Sequence, residues 1–367
     1  MIRKFLYLNG IAIISVILFH ASGWGFTAMF PWAHRYMIFG ADPYLNIGSV
    51  SYYVLRVIEQ LVMFSIPIFL FVSGYFVAFN TGKEKTIAWK SIFNRIKFLI
   101  IPYLVWTCIF LVLNFLEGKR PGLTDLLSIF LTGSITPAYY FVILLIQFYL
   151  ISPFLVPLAK NHWKVLLLLT GILQISFHLL QYLLILQPEN SVSVLIIRFL
   201  PKWLFIVRLF WFCLGLVIGF HRAEIKKYFE GKAILWYSSA LILFIIGIFE
   251  WEFLLRMSGA NWIETRETII DAAYAFALLF AILSTEKVLP LRNQVEKIGG
   301  QSFGIYLGHI PVMEYLARGI YHLTPWLLGQ TIIFVMIIAS LGLFIPLFGM
   351  WVFRKTFLNR YYGYVFG

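Results

Sequence analysis

A histidine that could do chemistry stands near the far end of the first apolar segment, at His20. Histidine is costly inside a bilayer, so an intramembrane histidine indicates a functional site. Imidazole is also the side chain best suited to moving protons near neutral pH. The sequence alone leaves the alternative open, in which His20 only forms a hydrogen bond to a neighbouring helix.

A second histidine lies in a later apolar segment, at His309, three residues after Tyr306. Side chains three residues apart share one face of a helix, so the pair predicts a second polar position inside the membrane. The other five histidines have no comparable companion and are expected to be structural or interfacial: His34, His162, His178, His221 and His322.

Two basic side chains, Arg95 and Lys97, directly precede the apolar segment 98–116, which contains Pro102. Basic residues at the mouth of a membrane protein can hold phosphate groups. They can equally act as a topological anchor, because cytoplasmic segments of membrane proteins are rich in basic residues. The residues themselves leave both interpretations open.

Small and charged residues at helical spacing predict packing contacts. The pair Ser73-Gly74 follows a proline kink at Pro67 and is typical of close packing between membrane helices. Two ion pairs are predicted from charges three or four residues apart, Arg56 with Glu59 and Glu314 with Arg318.

The composition excludes a soluble fold. Of 367 residues, 61% are hydrophobic and only 12% are charged, whereas soluble domains are about half apolar and a quarter charged. The mean hydropathy is +0.87. The two cysteines, Cys108 and Cys213, lie in apolar stretches and are expected to be small buried side chains. They do not form a disulfide or metal-binding pattern, and no metal is expected.

The elements that must position these side chains are membrane-spanning helices. We find about ten apolar segments long enough to cross a bilayer. They lie near 5–23, 54–79, 98–116, 138–158, 164–186, 201–220, 233–251, 268–286, 301–321 and 328–353. No linker or convincing internal repeat interrupts them. The sequence therefore predicts an all-α polytopic membrane protein with a single domain over residues 1–367.

The formal charge of +13 follows the predicted topology. If the N-terminus is cytoplasmic, 19 of the 29 basic residues fall in cytoplasmic segments, at 3–4, 83–97, 160–164, 222–232, 287–297 and 354–360. This asymmetry predicts that both termini are cytoplasmic and places His20 in the outer half of the membrane. The charge then reflects contact with membrane lipids, and no nucleic acid partner is expected.

The ordered series of segments resembles the acyltransferase 3 family of integral membrane proteins. The family's first helix carries a Leu-Asp-Gly-Leu-Arg-Gly-Ile-Ala type segment that leads to a histidine, and later helices carry Ser-Gly-aromatic and Pro-Tyr-x-x-Trp segments. The matching segments here are 8–12, 18–20, 70–75, 95–106, 139–153, 212–215 and 302–309. The chain departs from the pattern where the family has an arginine eleven residues before the histidine, because that position is Asn9.

The resemblance implies transfer of an acyl group, most often acetyl, from cytoplasmic acyl-coenzyme A to a hydroxyl of an envelope carbohydrate. We expect a protein that crosses the cell membrane many times. Its oligomeric state is left open. His20 would be the general base or would carry the acyl group transiently. Tyr306, His309, Ser73 and Asn9 are candidate donors to the developing oxyanion. Arg95 and Lys97 would bind the coenzyme A phosphates, and Asn9, Ser73 and Tyr140 would bind substrate.

Two other functions remain compatible with the same polar residues. A transporter or flippase of a lipid-linked sugar would use the same cavity without covalent chemistry. A structural or regulatory membrane subunit would use the histidines only to join helices.

Overall fold

All regular secondary structure is helical in a computed structural model that describes residues 2–260, 263 and 267–367. Within that part of the chain no strand occurs, which confirms the prediction of an all-α protein. The α-helices are α1 (Ile2–Met29), α2 (Val50–Val62), α3 (Ser65–Thr81), α4 (Trp89–Leu116), α5 (Leu123–Thr132), α6 (Tyr140–Asn161), α7 (Trp163–Leu186), α8 (Ser191–Phe199), α9 (Leu209–Phe220), α10 (Arg222–Phe229), α11 (Ala233–Ser258), α12 (Ile269–Ser284), α13 (Arg292–Gly299), α14 (Ser302–Leu323), α15 (Thr331–Lys355) and α16 (Tyr362–Val365).

Seven helical segments of the described chain are long and apolar enough to cross a membrane. They are α1, the consecutive α2 and α3 (Val50–Thr81), α4, α6, α7, α11 and α15. An eighth crossing results if Phe205–Phe220 and α10, which are bent by 108° relative to each other, count as one span.

Three of the ten predicted spans differ from these seven. The segment 201–220 contains a 3₁₀ turn (Phe205–Arg208) before α9 of 12 residues, and 268–286 contains α12 of 16 residues. The segment 301–321 corresponds to α14, which has 22 residues but is less apolar. Helices α9 and α12 are strongly apolar but shorter than the ~20 residues that a helix needs to cross the hydrocarbon core. The count of ten spans stays a prediction.

The central contact of the bundle joins α3 and α9 through two glycines. A Cβ atom on Gly74 would lie 2.1 Å from the carbonyl oxygen of Phe212, and one on Gly215 would lie 2.0 Å from that of Phe71. Only glycine allows two helix backbones to approach this closely. The close packing predicted from the Ser73-Gly74 pair is therefore confirmed at Gly74.

A second glycine contact joins α1 to the short helix α13. A Cβ atom on Gly10 would lie 2.1 Å from the carbonyl oxygen of Val295, and one on Gly299 would lie 1.8 Å from that of Leu6. Helix α13 thus packs directly against the first half of α1 and fixes its position.

One end of the bundle collects the basic segments. Lys4 Nζ donates to the carbonyl of Leu283 (3.1 Å) at the end of α12, and Lys160 Nζ donates to that of Gly82 (2.9 Å) after α3. Arg3 lies 3.8 Å from Glu296 of α13. We call this the basic end, formed by residues 3–4, 82–97, 160–164, 221–232 and 285–299. Its charge agrees with the asymmetry seen in the sequence.

The two cysteines differ in their environment. Cys213 is fully buried in α9, as the sequence predicted. Cys108 is exposed on α4, so the prediction that both are buried is wrong for this residue. Cys108 lies on a face of α4 that other helices leave uncovered, together with the exposed Leu104 and Val112.

The glycine contact at the centre of the bundle predicts a large effect of one methyl group. We expect Gly215→Ala to lower the free energy of unfolding by ~1–3 kcal/mol, because the added carbon meets a carbonyl oxygen that cannot move away from its helix. Thermal unfolding of the detergent-solubilised protein measures this.

Gly349→Ala is the matched control, since Gly349 lies in α15 with no atom near the position of its missing Cβ. Alanine there should leave the stability unchanged or raise it by ~0.5–1 kcal/mol. Equal unfolding temperatures for the two variants would contradict the tight α3–α9 contact.

Candidate active site

A cavity of about 350 Å³ lies inside the bundle, away from the basic end. Its wall comes from the later part of α1 (16–23), the joint of α2 and α3 (59–69), the start of α6 (137–141), the later part of α7 (174–181) and the segment before α9 (200–208). His20 and Tyr306 both line it. Its volume lies at the small end of the ~300–1,000 Å³ typical of ligand sites, so it suits a small ligand or one end of a larger ligand.

The two histidines that the sequence predicted to lie inside the membrane meet at this cavity. The ring centroids of His20 and His309 are 5.3 Å apart, with the ring planes inclined by 45°. His20 lines the cavity, and His309 is fully buried beside it. The ring of Tyr306 lies 5.7 Å from that of His309. The sequence predicted these residues of α1 and α14 as candidates but not their contact. The fold brings them together.

The hydrogen bonding of His309 fixes its tautomer. Its Nδ1 lies 2.6 Å from the carbonyl oxygen of Tyr306. A carbonyl oxygen can only accept a hydrogen bond, so Nδ1 carries the proton. In the neutral ring Nε2 is then an acceptor, and it is buried with no hydrogen-bond partner among the described residues. A buried acceptor next to His20 can stabilise a positive charge on that ring.

Two tyrosine hydroxyls join α14 to the start of α6. Tyr306 donates to the carbonyl of Ala138, and Tyr139 donates to that of Leu307 at 2.6 Å. These reciprocal bonds hold His309 at a fixed distance from the start of α6. The Tyr306 hydroxyl, a candidate oxyanion donor, is therefore already engaged with a backbone carbonyl.

The predicted substrate-binding residues are dispersed. Tyr140 lines the cavity, with the Arg208 guanidinium carbon 5.7 Å from its ring centroid. Ser73 donates to the carbonyl of Phe69 (2.8 Å) within its own helix. Asn9 lies eleven residues before His20, ~16 Å along the helix axis. Neither Ser73 nor Asn9 is among the described residues that line the cavity.

The predicted phosphate-binding residues lie at the basic end and diverge. Arg95 Nη2 donates to the carbonyl of Phe76 (3.1 Å), and its guanidinium lies 5.7 Å from the ring of Tyr149. Lys97 is exposed, with Nζ 5.7 Å from the ring of Tyr364. Two residues turn a helix by about 200°, so the side chains point to different sides of α4.

A polar cluster in the cavity wall was missed by the sequence analysis. Arg208 donates to Glu267 Oε1 from Nε (3.2 Å) and Nη2 (2.8 Å). His178 lies within 3.0 Å of both Gln174 Nε2 and the carbonyl oxygen of Glu267. All four residues line the cavity. The spacing of Gln174 and His178, four residues apart on one helix face, was the available signal.

The Arg208 guanidinium keeps Glu267 charged. Burial by itself would raise the pKa of the Glu267 carboxyl, but the attraction and hydrogen bonds of Arg208 bring that pKa below its ordinary value. The cavity wall therefore carries an ionised carboxylate at neutral pH.

Both predicted ion pairs are present. Arg56 donates to Glu59, and the guanidinium carbon of Arg56 lies 3.4 Å from the ring centroid of Trp251. The pair is buried, and Glu59 lines the cavity. Arg318 pairs with Glu314 and also with Glu117 at 2.7 Å. Hydrogen bonds from Lys119 and Arg318 lower the pKa of the Glu117 carboxyl to about 2.

These features define an all-helical membrane protein with a histidine pair at an internal cavity. A family model described as an acyltransferase domain matches residues 5–354, nearly the whole chain. The chain belongs to the acyltransferase 3 family, which confirms the resemblance seen in the sequence. No curated protein and no solved structure matches it.

The paired tyrosines allow a test of what the Tyr306 hydroxyl does. We expect Tyr306→Phe and Tyr139→Phe each to lower the free energy of unfolding by ~1 kcal/mol, because each removes one buried hydrogen bond. We also expect acyl-transfer rates of the two variants to agree within about threefold, since the two bonds join the same helices.

Tyr139→Phe serves here as the control, because Tyr139 is not among the described residues that line the cavity. A loss of rate about tenfold larger in Tyr306→Phe alone would contradict the purely structural role. It would assign the Tyr306 hydroxyl to the oxyanion instead.

Proposed function

We propose that this membrane acyltransferase moves an acyl group, acetyl in the first instance, from cytoplasmic acyl-coenzyme A to a hydroxyl of an envelope carbohydrate or lipid-linked sugar. The location we propose is the cell membrane. The observation that carries the proposal is the His20–His309 pair at the wall of a ligand-sized cavity, in a chain of the acyltransferase 3 family.

His20 supports acyl transfer as a general base. A hydroxyl is a weak nucleophile, and a positioned imidazole typically raises the rate 10²–10⁴-fold. In the proposed step His20 removes the proton of the acceptor hydroxyl while its oxygen forms a bond to the acyl carbon. The bond between that carbon and the coenzyme A sulfur breaks, and the proton on His20 passes to the leaving thiolate. Atoms and charge are then balanced, and His20 returns to its neutral form.

His309 supports the same step without contacting the acceptor. During the reaction His20 carries a positive charge inside an apolar bundle, where charge is costly. The Nε2 lone pair of His309 has no partner among the described residues, and its ring lies beside that of His20. An oriented neutral dipole of this kind stabilises the transient imidazolium and needs no reorganisation as the charge forms.

Arg95 and Lys97 stay our candidates for the coenzyme A phosphates because both lie at the basic end. Their side chains diverge, so we propose that they would contact different phosphate groups and not one shared group. The acyl thioester must then reach from the basic end to His20, since the cavity lies in the other part of the bundle.

The proposed base predicts a loss of chemistry without a loss of fold. We expect His20→Ala to reduce acyl transfer at least ~100-fold, because the acceptor loses its general base. The rate of transfer from radiolabelled acetyl-coenzyme A, measured on purified protein at matched expression, tests this.

His162→Ala is the control. His162 is exposed directly after α6 and is not among the described residues that line the cavity. It should transfer at the wild-type rate. Transfer by His20→Ala within a few-fold of the wild-type rate would remove His20 from the mechanism.

The proposed donor side makes a second prediction, on topology. In a Cys108→Ser background, a cysteine at Phe39 should react with a membrane-impermeant maleimide in intact cells, because Phe39 is fully exposed beyond α1. A cysteine at Lys85, at the basic end, should react only after lysis, since basic segments stay in the cytoplasm.

The Cys108→Ser parent should not react, because its remaining cysteine, Cys213, is buried. Labelling of Lys85→Cys in intact cells would reverse the orientation. It would also place the donor on the opposite side from the one proposed.

A further inference from the structure

The cavity is closed by four side chains on the side that faces the basic end. Helix α1 starts at the basic end, and α14 follows α13 there, so the lowest-numbered residues of these helices lie nearest to that end. Helices α3 and α6 run the other way, towards Gly82 and Lys160. Among the described residues that line the cavity, those nearest to the basic end on these four helices are Val16, Phe69, Phe141 and Tyr306. We call these four residues the cavity floor.

Aromatic rings connect the cavity floor to the histidine pair. The ring centroids of Phe69 and Phe141 are 5.9 Å apart, and those of Phe141 and Tyr306 are 5.8 Å apart. The ring of Tyr306 lies beside that of His309, which lies beside that of His20. The rings thus follow one another in contact, from Phe69 to the proposed general base.

The protein is closely packed beneath the cavity floor. Ala12, Ile13 and Leu144 lie about one turn nearer to the basic end than the floor residues of their helices. All three are fully buried, and none of them lines the cavity. A group that lies on the floor can therefore become longer only if a packed side chain becomes shorter.

The proposed reaction determines which part of the donor meets the cavity floor. The coenzyme A sulfur comes from the basic end, and the acceptor oxygen attacks from the cavity beside His20. The oxygen bonds to the acyl carbon, the bond to sulfur breaks, and the proton of the acceptor passes through His20 to the leaving thiolate. In the tetrahedral intermediate the other two substituents, the oxyanion and the acyl chain, project to the sides. The acyl chain then lies along the floor.

We propose that the cavity floor restricts the donor to a short acyl chain, with Phe69 as the residue that determines this specificity. Phe69 is half-buried, whereas Phe141 is 9% exposed and Tyr306 is held by its hydrogen bond to Ala138. Shortening Phe69 therefore enlarges the floor at the smallest cost to the core. The proposal rests on the proposed function, since it concerns the donor of the same acyl transfer.

The test compares acetyl-, propionyl- and butyryl-coenzyme A as donors. Inverted membrane vesicles that contain the protein and the acceptors of its host release coenzyme A, and vesicles without the protein give the background. We expect a wild-type kcat/KM at least about tenfold higher for acetyl-coenzyme A than for butyryl-coenzyme A, because two further methylene groups overfill the floor. Phe69→Ala should raise the butyryl-to-acetyl ratio of kcat/KM about tenfold, since the space of the ring accepts both methylene groups.

Phe210→Ala is the matched control. Phe210 is also half-buried, but its ring packs against α7 near Gly171, and it is not among the described residues that line the cavity. The variant should keep the wild-type donor ratio.

Phe69→Leu is a second, smaller change, which retains most of the side-chain volume and folds even where Phe69→Ala does not. It should raise the propionyl-to-acetyl ratio of kcat/KM about two- to fivefold, the effect of accommodating one methylene group.

The outcomes separate the two proposals. A wild-type protein that uses butyryl-coenzyme A as well as acetyl-coenzyme A overturns the floor assignment. Donor ratios of the Phe69 variants equal to those of Phe210→Ala also overturn it, while acyl transfer from coenzyme A stands in both cases. Wild-type protein that releases coenzyme A from none of the three donors contradicts the proposed function, and the floor assignment falls with it.

Discussion

Polar side chains inside this bundle have to find hydrogen-bond partners within the protein, because lipid offers none. Ser73 and Thr81 meet this requirement by donating to carbonyls one turn earlier in α3. Tyr139 donates to a carbonyl of α14, and Tyr306 donates to a carbonyl just before α6, which ties the segment that leads into α6 to α14. The same requirement thus produces both the local order of single helices and the contacts that set their relative positions.

Two buried atoms near the cavity lack such a hydrogen-bond partner, and they are informative for function. His309 Nε2 and Gln174 Oε1 are both buried acceptors without partners among the described residues. One lies beside His20, and the other lies in a wall of the same cavity. Each is oriented by a backbone carbonyl that fixes the proton on a histidine Nδ1. The His309 acceptor, held in place in this way, is stabilised when a positive charge forms on the neighbouring His20 ring.

Helix α1 links the two parts of the molecule that the proposed reaction needs. Its first half packs on α13 at the basic end, where cations can meet phosphates. Its later half carries His20 into the cavity. The glycine contacts at Gly10 and between α3 and α9 hold this arrangement rigidly, since backbones in contact cannot slide without a clash. The separation of His20 and His309 is set where α1 packs directly against α14.

The sequence by itself determined the helical membrane class, the family, the close packing at Gly74 and the two local ion pairs. Apolar run length, composition and helical spacing are local properties, and they can be read without knowing what lies across the bundle. It also named His20, Tyr306 and His309, because polar residues in apolar runs are conspicuous.

Only the tertiary structure decided which of these residues share a site. It joined His20 to His309, separated Ser73 and Asn9 from the cavity, and directed Arg95 and Lys97 to different sides of α4. It also assembled Gln174, His178, Arg208 and Glu267 from three distant segments. The physical reason is that hydrogen bonds and ion pairs between distant segments depend on how the helices pack, and no spacing along a single helix contains that information.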